Sequence, residues 1–169
     1  MKTRILVLSI LSLSLVGFFA CKKDASNSKL AIRMTDAPAS YDEVNVDLKE
    51  VRVNFDDDST GWVTLQSHPG IYNLLGLQNG VDSLIAEGDF PVNKTVKEIR
   101  LILGTNNSIK ANGQLYPLTI PSGSESGLKI KIAKKLRDTL EKVVIDFDAD
   151  LSVKQENDGY KLRPVVKVK

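Results

Sequence analysis

Several residue types are scarce in this chain. Its 169 residues include one cysteine, one histidine and one tryptophan, and aromatic residues make up 6%. A lone cysteine cannot close an internal disulfide, so stability has to come from an apolar core. One histidine and one cysteine cannot assemble a usual closed zinc site. A Ser/His/Asp triad would have to be built on His68, which precedes Pro69-Gly70 and therefore reads as a solvated turn residue. No Gly-rich phosphate loop stands ahead of a helical segment. A surplus of one charge is missing too. The formal +2 comes from Lys2 and Arg4; the remaining basic residues balance the 21 acidic ones. That excludes the basic excess that nucleic-acid binding demands.

What is present begins with one uncharged apolar stretch, residues 5–20, behind Lys2 and Arg4. It falls short of the roughly 20 apolar residues that a membrane-spanning helix needs, and its charged start and small-residue end read as a secretory signal peptide. The stretch closes on Gly17-Phe18-Phe19-Ala20-Cys21, which resembles a lipoprotein lipobox with Phe18 and Phe19 in place of the usual leucine and small residue. Acylation explains the leftover cysteine, so Cys21 is expected to be the lipid-carrying first residue of the mature protein. Several acyl chains, at about 0.8 kcal/mol per buried methylene, anchor a protein stably. Residues 22–28 are small and polar and read as a tether. Lys22 replaces the acidic inner-membrane retention signal known in enterobacteria. The expected location is therefore the outer membrane of a Gram-negative-type bacterium, on its periplasmic face rather than the cell surface. Residues 1–20 are thus assigned to the signal, 21–28 to the lipidated cysteine and tether, and 29–169 to one folded domain, long enough for a single core.

Within that domain, alternation with a period of two dominates. Leu30, Ile32 and Met34 form one apolar face, and Val44, Val46 and Leu48 another. The phase then slips to Val51, Val53 and Phe55, which predicts a β-bulge near Lys49-Glu50. Ile99, Leu101 and Leu103 follow, then Leu128, Ile130 and Ile132, then Val143, Ile145, Phe147 and Ala149, and a last strand over about 160–168. Asn112-Gly113 predicts a tight hairpin. Only Val81, Leu84 and Ile85 have helical spacing, stopped by Gly88. The pattern predicts an all-β protein: an antiparallel two-sheet sandwich, immunoglobulin- or transthyretin-like, of about eight or nine strands with one or two short helical turns. Val53, Leu101, Ile130, Ile145 and Phe147 are its expected core.

A set of ordered motifs goes further. Thr35-Asp36-Ala37-Pro38, Val44-Asn45-Val46-Asp47-Leu48-Lys49-Glu50-Val51, Asn73-Leu74-Leu75, Ile99-Arg100-Leu101-Ile102-Leu103-Gly104 with Asn107, Pro121-Ser122-Gly123, Ser126-Gly127-Leu128-Lys129 and Asp146-Phe147-Asp148-Ala149 together resemble domain of unknown function 4382, a family of bacterial cell-envelope lipoproteins. The resemblance covers about residues 29–168. It implies an extracytoplasmic β domain and brings no catalytic residues with it. The family tends to a longer Gly-rich turn before the last strand, where this chain has Gln155-Glu156-Asn157-Asp158-Gly159.

Candidate sites are polar turns and acidic strands. Asp36, in an Asp-Ala-Pro bend, with Asn107, Ser122, Ser126 and Lys129 in or beside turns, are the expected ligand contacts if those turns share one end of the sandwich. Asp146, Asp148 and Asp150 alternate along one predicted strand, spaced at about 7 Å. That is near the separation of two carboxylates in an inverting glycosidase; as a separate alternative, Asp146 and Asp148 are the candidate residues of a polar-ligand or metal site. Salt pairing with Lys129, Lys131, Arg163 and Lys167 explains the same acids without a ligand. Asp56-Asp57-Asp58-Ser59-Thr60-Gly61 starts like a calcium loop, but Ser67 stands where the bidentate Glu belongs. Trp62, Tyr41, Tyr72, Tyr116 and Tyr160 could form a sugar-stacking platform, with Trp62 better explained by packing.

These features point to a membrane-anchored, non-enzymatic binding or interaction module that needs no cofactor, with a glycan or an envelope protein as its possible partner and no role for nucleic acid. The alternatives are a carbohydrate-binding or calcium-dependent adhesin-like domain and, more remotely, a carboxylate-dependent hydrolase.

Overall fold

The computed structural model describes residues 27–55, 61–121, 127–137 and 140–169. Fourteen strands follow in chain order: β1 Asn27–Thr35, β2 Glu43–Asn54, β3 Trp62–Thr64, β4 Gln66–Ser67, β5 Gly70–Asn73, β6 Ser83–Pro91, β7 Thr95–Leu103, β8 Ser108–Ala111, β9 Gln114–Thr119, β10 Leu128–Lys135, β11 Leu140–Phe147, β12 Val153–Glu156, β13 Gly159–Leu162 and β14 Val166–Val168. A 3-10 turn, Leu74–Leu77, and one short helix, α1 Ala149–Ser152, complete the described elements. Among the described residues no helix is long and apolar enough to cross a membrane.

The strands form two mixed sheets in an open sandwich. One has the order β14-β11-β1-β6-β4; the other runs β10-β7-β2-β8-β9-β13-β12, with β3 and β5 also paired to β2. The alternation read from the sequence is what builds this core. Leu30, Ile32, Met34, Ile145 and Phe147 project from the five-stranded sheet into a cluster with Val44, Val46, Val53, Ile99 and Leu101 of the other. All five expected core residues are buried: Val53, Leu101, Ile145 and Phe147 are 0% exposed and Ile130 6%. The phase slip in β2 is a register break against β7 between Leu48 and Glu50. Asn112 and Gly113 both take positive φ, 52° and 77°, in the tight β8–β9 turn. This is the left-handed pair that a two-residue hairpin requires.

Several expectations are corrected. The sheets are not purely antiparallel: β1 runs parallel to β11, and β13 parallel to β9. Alternation sets which face of a strand is buried and carries no information about its direction. The strands outnumber the expected eight or nine because long apolar runs are supplemented by two- to four-residue pieces such as β4 and β5. The helical spacing of Val81, Leu84 and Ile85 belongs to no helix, since Leu84 and Ile85 lie in β6 and Val81 precedes it in irregular chain. Ile32 pairs with Ala86 and Arg33 with Leu84, which leaves Ile85 as a bulge residue. The bulge puts the adjacent Ile85 and Ala86 both out of solvent and mimics a helical stripe. β1 begins at Asn27, two residues before the expected boundary, and Ser28 is fully buried. The last strand splits into β13 and β14, which join different sheets.

Candidate binding groove

The acids singled out from the sequence do not share a face. β11 ends at Phe147, and Asp148 instead caps α1, its side chain accepting the Leu151 N–H at 2.9 Å. Asp146 stays on the strand opposite Lys167 and is 1% exposed. Lys167 and Lys169 lie 3.2 and 3.4 Å from its Oδ2, while its Oδ1 is buried without a hydrogen bond. Cross-strand pairing therefore holds for Lys167. Arg163 pairs with Glu156 instead, and Lys129 and Lys131 belong to β10 in the other sheet. Among the described residues no group of three or more His, Cys, Asp or Glu side chains is placed to hold a metal ion.

Of the expected ligand contacts, the described ones, Asp36, Asn107 and Lys129, belong to different parts of the fold. Asp36 is 3% exposed. Its Oδ1 accepts the Ala149 N–H at 2.9 Å and its Oδ2 accepts Gln78 Nε2 at 3.0 Å. These bonds tie the end of β1 to α1 and to the segment after the 3-10 turn. Burial pushes the Asp36 pKa up, against the lowering effect of those bonds, and the nearby Asp148 charge adds to the rise. Asn107, 5% exposed, is a second internal tie: its Oδ1 accepts the Asp47 N–H and its Nδ2 donates to the Gly104 carbonyl, each at 2.8 Å. Lys129 is exposed on β10 opposite Arg100. Ser122 and Ser126 lie outside the described residues, as do residues 56–60 of the calcium-like stretch. Sequence alone marked Asp36 and Asn107 as polar residues at bends; it could not show that their side chains turn inward.

The tyrosines divide. Trp62, half-buried, meets the Arg100 guanidinium at 3.9 Å from its ring centroid, and the Tyr72 hydroxyl donates to the His68 carbonyl at 2.6 Å. Neither joins a platform. Tyr116 and Tyr160 do meet, with ring centroids 5.2 Å apart and planes inclined at 50°. They line a solvent-open groove of about 440 Å³ between β9 and the turn joining β12 to β13.

The groove has a backbone origin. Successive N–H groups of a strand point to opposite sides, and Leu118 donates to the Asn107 carbonyl on the β8 side. Position 117 would therefore donate toward β13, but Pro117 has no N–H. The β9–β13 ladder accordingly holds only the pairs Tyr160–Leu118 and Lys161–Thr119. Short of that ladder the β12–β13 turn stands apart from β9 and leaves the notch. Its rim charges are already matched, Asp158 with Lys161 at 2.7 Å and Glu156 with Arg163 at 2.8 Å. The sequence signals for this site, Pro117 and the Asn-Asp-Gly turn, lie 40 residues apart and are joined only by the parallel pairing.

Fold and groove together define an all-β sandwich domain with a small notch at one end of its larger sheet. The chain belongs to the family described as Domain of unknown function (DUF4382), whose model matches residues 27–164. No curated protein and no solved structure matches it.

Proposed function

We propose that this chain is an envelope lipoprotein, held to the outer membrane by an acylated Cys21, whose folded domain binds a ligand without transforming it. The observation that carries this reading is the groove at Tyr116 and Tyr160, an open aromatic-lined notch whose charged rim is internally compensated. The carboxylates of the alternative hydrolase reading have structural employment: Asp148 accepts a backbone N–H group, and two lysines flank Asp146. A general acid or base needs to reach a bound substrate, and oxygens already engaged in caps and ion pairs are less free to do so. The anchor is supported by the apolar stretch ending at the lone cysteine.

Two measurements test the proposal. Mass spectrometry of the processed N-terminus should find acylated Cys21, and Cys21→Ser should release the protein from the membrane fraction. An unmodified Cys21 overturns the anchor. The released protein should rebind isolated envelope fragments, and Tyr160→Ala should weaken that binding. Rebinding unaffected by Tyr160→Ala, or turnover of glycoside or ester substrates lost in Asp146→Asn, overturns the binding reading.

A further inference from the structure

We propose that the groove takes an uncharged, hydroxyl-rich ligand, a neutral glycan segment, with Tyr160 and Tyr116 as the apolar contact and the side-chain amides of Gln155 and Asn157 as hydrogen-bonding groups. This rests on the binding reading above and names its ligand chemistry.

The argument begins with charge. Four ionisable side chains stand around the notch, and they form two pairs: Lys161 Nζ to Asp158 Oδ2 at 2.7 Å, and Arg163 to Glu156 Oε1 at 2.8 and 3.2 Å. Lys161 holds the Asp158 carboxyl below the usual carboxylate range, so that pair stays charged on both sides and neutral as a unit. An ionic ligand would meet a rim with no surplus charge of either sign and so gain no net Coulombic attraction from it. What remains for recognition is uncharged. Gln155 lies directly opposite Tyr160 in the β12–β13 ladder, and Asn157 sits exposed in the turn. Neither amide has a hydrogen bond within the described part of the chain, so each offers donors and an acceptor to a ligand.

The apolar side of the site has its own cause. Tyr116 and Tyr160 occupy the same face as Leu118, Val153 and Leu162, all buried in the core. At this end of the larger sheet the apolar face carries two half-exposed tyrosines packed against the core. An aromatic ring has a negative face that attracts partly positive C–H groups, and a sugar ring offers a row of them flanked by hydroxyls. A few polar groups beside an aromatic surface, in a volume within about 300–1,000 Å³, are the usual makings of a small-ligand site.

The test is saturation-transfer NMR on the full chain purified in detergent, with neutral oligosaccharides (cellotetraose, maltotetraose and chitotetraose) as probes and polygalacturonate as the charged comparison. At least one neutral probe should bind, with saturation at its ring C–H protons. Its affinity should be unchanged between about 0.1 and 1 M salt, over which the screening length falls from roughly 10 to 3 Å. Tyr160→Ala should weaken binding about tenfold, and Tyr160→Phe should restore it, since the ring is the contact. Asn157→Ala, an exposed turn substitution that leaves the core untouched, should weaken it severalfold and keeps the test valid if Tyr160→Ala fails to fold. Binding of polygalacturonate alone, lost at high salt, overturns the neutral-ligand inference. So does the absence of any neutral binding in a protein whose envelope rebinding still depends on Tyr160; there the groove reading survives and only its ligand class fails.

Discussion

At the scale of single residues, polar side chains at bends have been recruited as internal fasteners. Asp36 is the clearest. Both of its oxygens are occupied, and its pKa is raised above 3.8 because burial penalises the charge. A raised folded-state value for an acid means that the fold favours the protonated form. The contribution of Asp36 to stability is therefore greatest below 3.8, and the cost of its ionisation grows as pH rises through that value toward the raised one and persists above it. Asp36→Asn removes the cost of ionisation but, if the Gln78 amide turns to present its oxygen, loses the Gln78 bond to the Ala37 carbonyl, so its stability relative to the wild type should rise from acid to neutral pH. Asp36→Ala should lose about 1–3 kcal/mol, because it strands the buried Ala149 N–H and removes one of the two acceptors of the Gln78 amide, which keeps the Ala37 carbonyl. Urea denaturation across pH decides both. Glu50 behaves in the opposite way. Hydrogen bonds from Arg52 and then Thr64 lower its pKa from 4.5 to about 2. Its stabilising contribution is present above 4.5 and is lost as pH falls through about 2. An NMR titration of the Glu50 carboxyl should show that midpoint, and Thr64→Val should raise it.

At the scale of elements, close approaches set the corners. Gly104, just past β7, donates its N–H to the Asp47 carbonyl at 2.7 Å, and a β-carbon there would fall inside the Asp47 carboxylate and the Lys49 side chain. Asp47 and its partner Asn107 are both buried, so the corner has little room to yield. Gly104→Ala should cost about 1–3 kcal/mol, as overpacking of a tight site does. Thermal denaturation read by circular dichroism measures it. The bulge in β6 carries a related lesson. Val81, Leu84 and Ile85 read as a helical stripe, yet β6 is hydrogen-bonded on both flanks, to β1 and to β4. Ladder bonds on two sides outweigh a local spacing of three side chains.

At the scale of the whole molecule, one core is shared between sheets of unequal width. Phe147 heads the fully buried side chains and lies where β11 meets α1. Phe147→Ala should lose about 3–5 kcal/mol, since a rigid two-sheet core cannot collapse around the gap. A chemical-denaturation midpoint shifted without a change in slope would show that the loss is one of stability and not of compactness. The groove lies at the β12–β13 end of the wider sheet, where Tyr116 and Tyr160 pack against the core and stay half-exposed.

Alternation, turn chemistry and the scarcity of cysteine and histidine are local properties, and they were enough to determine the all-β class, the buried faces, the bulge after Leu48 and the Asn112-Gly113 hairpin. Each depends on neighbours two to four residues apart, which is the range over which a side chain's face or a turn's φ is decided. Strand direction, sheet membership and the groove were decided only by the tertiary structure. β1 meets β11 across more than a hundred residues, Asp36 finds Ala149 over a similar span, and the Tyr116–Tyr160 pair exists because β13 lies parallel to β9. The energies that select such pairings come from burying distant apolar faces against one another, and no local pattern of residues encodes which distant face will be the partner.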